Sequence, residues 1–246
     1  KMNPIGVVIC NYNKKDFVLQ CVQSVLESKE KNFDIYVVDN ASSDGSAEAL
    51  KKAYGNRITV IENKENLGGS GGFNTGLRIV RDKGYSYFMC LDDDAAVDEN
   101  ALSVLYHYME EHTDTGMAGC RVYHTQMSDY IQQSGLLIDF DNCTAKTIGA
   151  DMPEDGSLPD VIECDTVATC AVMVRADTVK QKGVGIMPED NFIYWDDMEW
   201  GYRIKLAGYR VVALAEAKAL HQMGANTKKE NTFINVAVKG RYAYCY

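Results

Sequence analysis

The pattern that decides the fold lies in the segment IGVVICNYNKKDFVLQCVQSVLES, residues 5–28. Residues 5–10 are an uninterrupted apolar run, which is typical of a strand buried on both faces. The segment at residues 16–28 carries apolar side chains at helical spacing: Phe17, Cys21, Val22, Val25 and Leu26. A buried strand followed at once by an amphipathic helix predicts the first half of a βαβ unit.

The same alternation continues through the first 91 residues. Further strands are predicted at residues 33–40, 57–63 and 85–91, and helices at residues 43–55 and 70–84. This spacing predicts right-handed βαβ units and a parallel sheet covered by helices on both faces. Four polar loops then meet at the carboxyl edge of the strands, where such sheets bind ligands. They are NYNKKD, DNASSDG, NKENLGGSGG and DDDAAVDEN.

The rest of the sequence is less regular. We predict helices at residues 100–112 and 197–208, strand-like segments at 116–123, 130–140, 161–179 and 209–215, and a mobile loop at 149–160. No repeat or linker interrupts the sequence. We therefore predict one α/β domain, Rossmann-like, with a mostly parallel central sheet flanked by helices and a smaller mixed β region.

Composition narrows the class of function. The 246 residues are 46% hydrophobic with a net charge of −10, which suits a globular enzyme and disfavours nucleic acid as a partner. The eight cysteines show no CxxC or Cys/His zinc spacing, so we expect buried, reduced thiols. We see no secretion signal or membrane-length apolar stretch, and we expect a cytoplasmic protein.

Three adjacent carboxylates, Asp92, Asp93 and Asp94, follow the predicted strand at residues 85–91. Each ionised carboxylate raises the cost of ionising the next, unless a cation neutralises them. Mg²⁺ and Mn²⁺ bind one or two protein carboxylates together with substrate phosphates, and alternation would place Asp92 and Asp94 on one side and Asp93 on the other. A solvated acidic turn before the next helix explains the same residues. Both interpretations stay open at this point.

Two other loops suggest a nucleotide. Asp39, at the end of the strand at residues 33–40, has the position of an acidic residue that binds ribose, although it could simply cap a turn. The glycines of NLGGSGGF, residues 66–73, would let backbone amides approach a phosphate at a helix N-terminus. A flexible turn is the alternative for these glycines.

A second acidic cluster lies in YWDDMEWGYR, residues 194–203. Its carboxylates are Asp196, Asp197 and Glu199. The dipole of the predicted helix alone would favour them in its first turn. A carboxylate beside aromatic rings, such as Trp195, also suits a general base for a sugar hydroxyl. His221 follows in ALHQMG and is either a metal ligand or a hydrogen-bonded core histidine.

Together these motifs resemble family 2 glycosyltransferases of the GT-A fold. The resemblance rests on VVICNYNKKDFVLQCVQSVL, IYVVDNASSDGS, ENLGGSGGFNTGL, FMCLDDDA, WDDMEWGYRIKLAGYRVV and ALHQ, in this order along nearly the whole chain. GGSGGF with DDDA and WDD looks most like galactofuranosyltransferases and rhamnosyltransferase-like bacterial enzymes. The resemblance implies inverting, metal-dependent transfer of a sugar from a UDP- or dTDP-sugar to a saccharide or lipid-linked acceptor in cell-surface polysaccharide synthesis.

The resemblance also implies a role for each site residue. The nucleotide-sugar positions are Tyr12, Asp39, Asn66, Gly68 and Asp93, of which Tyr12 and Asp39 match the residues that hold the base and ribose. The positions for Mg²⁺ or Mn²⁺ are Asp92, Asp94 and His221. On the acceptor side, Asp197 matches the general base, and the acceptor-orienting positions are Trp195, Asp196 and Glu199.

Within one GT-A domain at residues 1–225, residues 1–115 would form the nucleotide-sugar half and residues 116–225 the acceptor half. Residues 226–246 would begin a truncated C-terminal region that associates peripherally with the inner face of the membrane. Cys10 stands where many relatives have threonine, so a ligand contact is not expected from it.

Two alternative functions remain: a sugar nucleotidyltransferase and an inactive nucleotide-sugar-binding module. The first normally has a glycine-rich basic loop after the first strand, and NYNKKD contains no glycine. The presence of every carboxylate that the chemistry needs disfavours the second.

Overall fold

The structure, a computed structural model, describes residues 4–142, 144–193 and 195–222. The strands are β1 Ile5–Asn11, β2 Phe33–Asp39, β3 Thr59–Glu62, β4 Tyr87–Asp92, β5 Ala95–Val97, β6 Thr115–His124, β7 Met127–Gln133, β8 Leu136–Asp139, β9 Thr144–Thr147, β10 Val161–Glu163, β11 Ala171–Arg175 and β12 Arg210–His221. The helices are α1 Lys15–Leu26, α2 Ser46–Tyr54, α3 Gly68–Lys83, α4 Ala101–Glu111 and α5 Asp196–Leu206. Tyr194 and the predicted C-terminal region at 226–246 lie outside the described residues.

One mixed sheet of ten strands organises this part of the chain, in the order β10-β12-β6-β11-β4-β1-β2-β3. β3, β2, β1 and β4 are parallel neighbours, as the alternation predicts. β11 runs antiparallel to both β4 and β6, and β12 runs parallel to β6. β5 and β7 join the edges of β12 and β6, and β8 pairs with β9 alone. The predicted run of parallel strands is confirmed, but the mixed region is the larger part of this sheet, with six of its ten strands.

Helices cover both faces of the sheet because successive side chains of its central strands enter two different cores. Ile5, Val7 and Ile9 of β1 contact one core, which also contains side chains of α1, α2 and α4. Val8 contacts the second core, together with side chains of α3 and α5. All four of these β1 side chains are fully buried, which explains why the sequence of this strand is a continuous apolar run.

The glycine-rich segment has a packing role that its sequence did not reveal. We predicted a glycine loop before a helix, but α3 begins at Gly68 and includes all four glycines of the segment at residues 66–73. A Cβ atom added to Gly76 would lie 2.4 Å from Val8 Cγ1, and one added to Gly72 would lie 2.4 Å from Cys10 Sγ. Glycine at these positions therefore lets α3 lie directly on β1.

The second half differs from the prediction in three places. The segment at 130–140 forms two strands, because Gly135 adopts a left-handed φ of +94° between them. The segment at 161–179 contains the separate strands β10 and β11, because Thr166 between them forms a bridge with Leu136. The strand predicted at 209–215 continues to His221, because β12 resumes its pairing with β6 after a register shift.

The loop at residues 149–160, predicted to be mobile, is tied to the sheet by Arg121. The guanidinium of Arg121 lies 3.0 Å from a carboxylate oxygen of Glu154 and donates to the carbonyl oxygen of Pro159. The side chain of Arg121 is only 2% exposed.

The described cysteines agree with the expected reduced state. Cys10, Cys21, Cys90, Cys120, Cys164 and Cys170 are free thiols. Among residues 4–142, 144–193 and 195–222, no helix has both the length and the apolar character that a membrane crossing requires.

Replacing Gly76 with alanine tests the close contact between α3 and β1. We expect Gly76→Ala to lower the free energy of unfolding by about 1–3 kcal/mol, because the new methyl group overlaps Val8 in a packed core. Gly69→Ala in the same helix is the control, since its Cβ would be in ordinary van der Waals contact, 3.6 Å from Asp196 Oδ2 and 3.9 Å from the carbonyl oxygen of Phe192. Urea unfolding that shows equal stability for the two variants would contradict this packing role.

Candidate active site

The candidate site lies at the carboxyl edge of β2, β1 and β4. Parallel pairing sets Asn11 of β1 beside Asp39 of β2, and Cys10 of β1 beside Asp92 of β4. Each strand therefore ends in a polar side chain at the same level. This placement brings together residues that are up to 82 positions apart in the sequence.

Asp92, Asp94 and His221 form the cluster that the sequence predicts as a metal site. β12 carries His221 to this edge by pairing antiparallel with β5, where His221 lies opposite Ala95. The Nε2 atom of His221 lies 3.2 Å from Asp94 Oδ1 and 3.6 Å from Asp92 Oδ2. One ligand atom from each residue lies within 4.8 Å of the other two, which is close enough for all three to contact one cation.

The chemistry of these three residues fits a divalent cation. Asp94 Oδ1 is buried, yet it forms no hydrogen bond of acceptable geometry with the described residues, even though His221 Nε2 is near. An unpaired buried carboxylate oxygen is costly, and a cation would satisfy it. Two carboxylate oxygens and one imidazole nitrogen suit Mn²⁺ and are compatible with Mg²⁺.

The charges in this cluster favour a cation at its centre. Burial raises the pKa of Asp92, although the charge of His221 opposes the rise. For Asp94, burial is outweighed by His221 and Lys14, which hold its pKa below the usual value. The same two aspartates raise the pKa of His221 against the effect of burial. Positive charge among the three side chains is therefore stabilising, whether an imidazolium or a bound cation carries it.

The carboxylate of Asp93 contacts two residues that follow β1, and it is not one of the three clustered ligands. Its Oδ2 atom accepts a hydrogen bond from the backbone N–H of Tyr12 at 3.0 Å, and its Oδ1 atom lies 3.0 Å from Lys14 Nζ. Lys14 Nζ also lies 2.6 Å from Asp94 Oδ2. Lys14 thus neutralises two adjacent carboxylates and turns the other oxygen of Asp94 toward His221. Contact of Asp93 and Tyr12 with a nucleotide stays a prediction.

Asp39 lies at the end of β2 and is 4% exposed. Its Oδ1 atom accepts from Asn11 Nδ2 at 2.8 Å, and its Oδ2 atom accepts from the backbone N–H of Ser42 at 3.1 Å. These contacts fix the carboxylate at the carboxyl edge of the sheet. Its predicted contact with a ribose is not excluded by these bonds, since each carboxylate oxygen can accept a further hydrogen bond.

Asn40 organises the start of the glycine-rich segment at residues 66–73, which the sequence predicts to approach a phosphate of the donor. The Nδ2 atom of Asn40 donates to Asn66 Oδ1 at 2.8 Å and to the carbonyl oxygen of Gly68 at 2.9 Å. Asn66 Oδ1 also accepts from the backbone N–H of Gly68. Gly68 has a φ of +76°, and a Cβ there would lie 2.2 Å from the carbonyl oxygen of Phe192. The donor-binding roles of Asn66 and Gly68 stay predictions beside these structural ones.

The second acidic cluster begins α5, and α3 holds it in place. Trp195 adopts a left-handed φ of 67° immediately before the helix. The Ser70 Oγ atom lies 2.6 Å from the carbonyl oxygen of Asn191 and 3.0 Å from Asp196 Oδ2, and its single hydrogen can be donated to either acceptor. The backbone N–H of Gly69 donates to the carbonyl oxygen of Phe192 at 2.7 Å. The start of the glycine-rich helix therefore positions the segment that leads into the acidic pair.

Asp197 and Glu199 have different surroundings. Burial, followed by the charge of Asp196, raises the pKa of Asp197 to about 7. A carboxylate that titrates near neutrality is suited to accept a proton. Glu199 forms an ion pair with Arg203 one turn along the helix, and Asn191 Nδ2 donates to it at 3.3 Å. The predicted contact of Glu199 with an acceptor is untested.

Carboxylates of both acidic clusters act electrostatically on Cys10. After burial, the charges of Asp93, Asp92, Asp196 and Asp39 raise the pKa of the Cys10 thiol well above its usual value. The four carboxylates thus lie within electrostatic range of one atom at the end of β1. The thiol stays protonated at neutral pH, so it offers no thiolate to a metal or substrate.

Four residues at the site were not among the predicted ones: Lys14, Asn40, Ser70 and Gln132. Lys14 and Asn40 stand in loops that the sequence places at this edge, but their partners depend on tertiary contacts. Ser70 looks like part of a flexible glycine loop. Gln132 is a polar residue that the structure buries within an alternating strand. This break in the alternation is the sequence signal that could have identified it.

Comparisons with known proteins agree with this architecture. The sequence matches the family model described as glycosyl transferase family 2 over residues 6–172. It is 26% identical over 146 residues to the teichoic acid poly(glycerol phosphate) polymerase of Staphylococcus epidermidis, covering 57% of this chain and 19% of that protein. It is 30% identical over 109 residues to the UDP-Glc:alpha-D-GlcNAc-diphosphoundecaprenol beta-1,3-glucosyltransferase WfaP of Escherichia coli, covering 44% and 35%. The chain therefore spans only a minor part of either relative.

A solved structure supports the predicted GT-A fold. The mannosyltransferase PcManGT from Pyrobaculum calidifontis, in complex with GDP-Man and Mn²⁺, superposes with a TM-score of 0.66 at 16% identity. The match covers 92% of this chain and 59% of that one. At this identity the likeness establishes the fold alone.

Removing the charge of Lys14 tests the electrostatic balance of the site. We expect Lys14→Met to lower the free energy of unfolding of the metal-free protein by about 3 kcal/mol, because Asp93 and Asp94 would lose their buried partner. Lys51→Met is the control, since its ion pair with Glu62 is exposed and contributes less than about 1 kcal/mol. Urea unfolding at pH 7.5 measures both. Equal losses would show that Lys14 does not balance this cluster.

Proposed function

The chain belongs to glycosyl transferase family 2, and from this premise we propose that it transfers a sugar from a nucleoside diphosphate donor to an acceptor hydroxyl with inversion at the anomeric carbon. The transfer would depend on Mg²⁺ or Mn²⁺. The acceptor would be a saccharide or a lipid-linked saccharide of the cell surface.

One observation supports this proposal above the others. The predicted metal ligands at the end of β4 interact electrostatically with the carboxylate pair at the start of α5. The charge of Asp92 contributes to the raised pKa of Asp197. Glycosyl transfer needs a cationic region for the departing diphosphate and a separate base for the acceptor hydroxyl. Asp92, Asp94 and His221 supply the first requirement, and Asp197 supplies the second.

We propose a uridine or thymidine diphosphate donor. The name of WfaP includes UDP-Glc, whereas PcManGT is in complex with GDP-Man. The nucleotide base of the donor therefore differs among similar proteins. Asp39, fixed by Asn11 and Ser42, would hold the ribose, with Tyr12 beside the base. A donor sugar of the galactofuranose or rhamnose type stays a prediction.

The proposed class of acceptor is inferred from the names of two relatives. One is a teichoic acid polymerase and another acts on a diphosphoundecaprenol-linked sugar, according to their names. Both concern molecules of the bacterial cell surface. The Arg121–Glu154 ion pair and α5 lie in the half of the domain to which we assign the acceptor.

In the proposed mechanism, Asp197 accepts the proton of the acceptor hydroxyl as its oxygen attacks the anomeric carbon. A bond forms between that oxygen and the anomeric carbon, and the bond from the anomeric carbon to the diphosphate oxygen breaks on the opposite face. Asp196, held by Ser70, keeps α5 aligned with the donor side. When bound, a divalent cation would stabilise the negative charge of the departing diphosphate.

The role of Asp197 predicts a pH dependence. The base acts only when ionised and its pKa is about 7, so turnover should fall about tenfold per pH unit below 7 and level off above it. Asp197→Asn should lower kcat by at least about 100-fold while UDP binding is retained. Release of UDP or dTDP from a panel of nucleotide sugars with Mn²⁺, between pH 5.5 and 8.5, measures this.

Asp177→Asn is a suitable control, because this carboxylate is 70% exposed and pairs with Lys180 away from the site. A rate that does not change with pH, or an active Asp197→Asn enzyme, would refute the base assignment. Release of pyrophosphate from a nucleoside triphosphate and a sugar phosphate would instead identify a nucleotidyltransferase. Nucleotide binding with no turnover of any donor would identify an inactive binding module.

A further inference from the structure

Both the nitrogen and the oxygen of the Gln132 side-chain amide form hydrogen bonds with one residue, His221. Its Nε2 atom donates to the carbonyl oxygen of His221 at 3.1 Å, and its Oε1 atom lies 2.7 Å from His221 Nδ1. Gln132 is 7% exposed. A buried amide with this double contact has no freedom to rotate without losing both bonds.

The two contacts together fix the positions of the hydrogen atoms. A backbone carbonyl only accepts hydrogen bonds, so the NH₂ group of Gln132 must face the carbonyl of His221. The carbonyl oxygen of Gln132 must then face Nδ1, and Nδ1 must carry a hydrogen to donate to it. In the neutral ring, the lone pair is therefore on Nε2, which is the nitrogen that faces Asp92 and Asp94.

The backbone places Gln132 there by an irregularity in β7. Val122 of β6 pairs with Gln133, but the next residue, Tyr123, pairs with Ile131. One residue, Gln132, is thus extra in β7, which is the arrangement of a β-bulge. Bulges redirect side chains, and here Ile131 and Gln132 are both buried although they are consecutive. The bulge turns Gln132 toward the end of β12.

We propose that Gln132 is a positioning residue that holds His221 with its hydrogen on Nδ1 and its Nε2 lone pair directed at a divalent cation shared with Asp92 and Asp94. This inference rests on the metal dependence in the proposed function. Outer residues that hydrogen bond to a ligating histidine fix its tautomer and orientation, and their loss weakens metal affinity about 10- to 100-fold.

Binding of Mn²⁺ alone tests the inference without any substrate. Electron paramagnetic resonance of free Mn²⁺ at pH 7.5 gives the dissociation constant of each folded variant. We expect Gln132→Leu to raise it about 10- to 100-fold, because no acceptor would remain for Nδ1–H. Gln132→Glu should stay within a few-fold of the wild type, since its carboxylate still accepts from Nδ1–H.

The chain provides a matched control in the next residue. Gln133 lies on the same strand, but its Nε2 atom donates to Cys170 Sγ, and within the described part of the chain the side-chain hydrogen bonds to His221 Nδ1 and its carbonyl come from Gln132. Gln133→Leu should bind Mn²⁺ like the wild type. Equal affinity of Gln132→Leu and the wild type would overturn the inference while leaving the metal site intact. A wild-type protein that does not bind Mn²⁺ would overturn both the inference and the metal dependence.

A second measurement reads the tautomer directly in the metal-free protein. Two-bond ¹⁵N–¹H correlation spectra distinguish Nδ1–H from Nε2–H, and the sequence has only four histidines, with His221→Asn to assign the signal. At pH 9 we expect His221 in the Nδ1–H form in the wild type and in Gln132→Glu. Gln132→Leu should show a mixture with the Nε2–H form. An Nε2–H ring in the wild type would overturn the inference, whatever the stability of the variants.

Discussion

The architecture of the site depends on the balance of charge where β4 ends. Asp92, Asp93 and Asp94 are adjacent and largely removed from water, and such an arrangement is unstable unless opposite charge lies beside it. Lys14 neutralises one side of the cluster and His221 approaches the other. One buried oxygen of Asp94 is still without a hydrogen bond of acceptable geometry, and it faces the space between the three predicted ligands. The need for a cation at this point connects the fold to the proposed chemistry.

The order of strands explains how distant residues reach this point. β4 is central, with β1 on one side and antiparallel β11 on the other. β1 leads into the loop that carries Lys14, β2 ends in Asp39, and β12 and β5 bring His221 to Asp94. On the opposite face, the glycines of α3 allow this helix to lie against β1, and its first turn fixes the start of α5. The donor side and the acceptor side are thus joined through one helix.

Local patterns predicted the parallel strands of the sheet and the helices that cover them. These features depend on the periods of strands and helices, which a single sequence displays directly. The pairing of Lys14 with Asp93 and Asp94 could not be predicted, because it needs the register of β1 against β4. The bulge at Gln132 depends on the pairing of β7 with β6, and the packing role of Gly76 depends on its contact with Val8. Tertiary contacts, rather than local propensity, determine all three.

The central claim is that Asp92, Asp94 and His221 bind a cation together with a nucleoside diphosphate. Isothermal titration calorimetry of UDP and dTDP, with Mn²⁺ and with EDTA, tests it in the wild type and in Asp94→Ala. The account predicts that at least one of these nucleotides binds the wild type with Mn²⁺, that EDTA abolishes this binding, and that Asp94→Ala abolishes it as well. Binding of equal strength in EDTA, or in Asp94→Ala, would contradict the account.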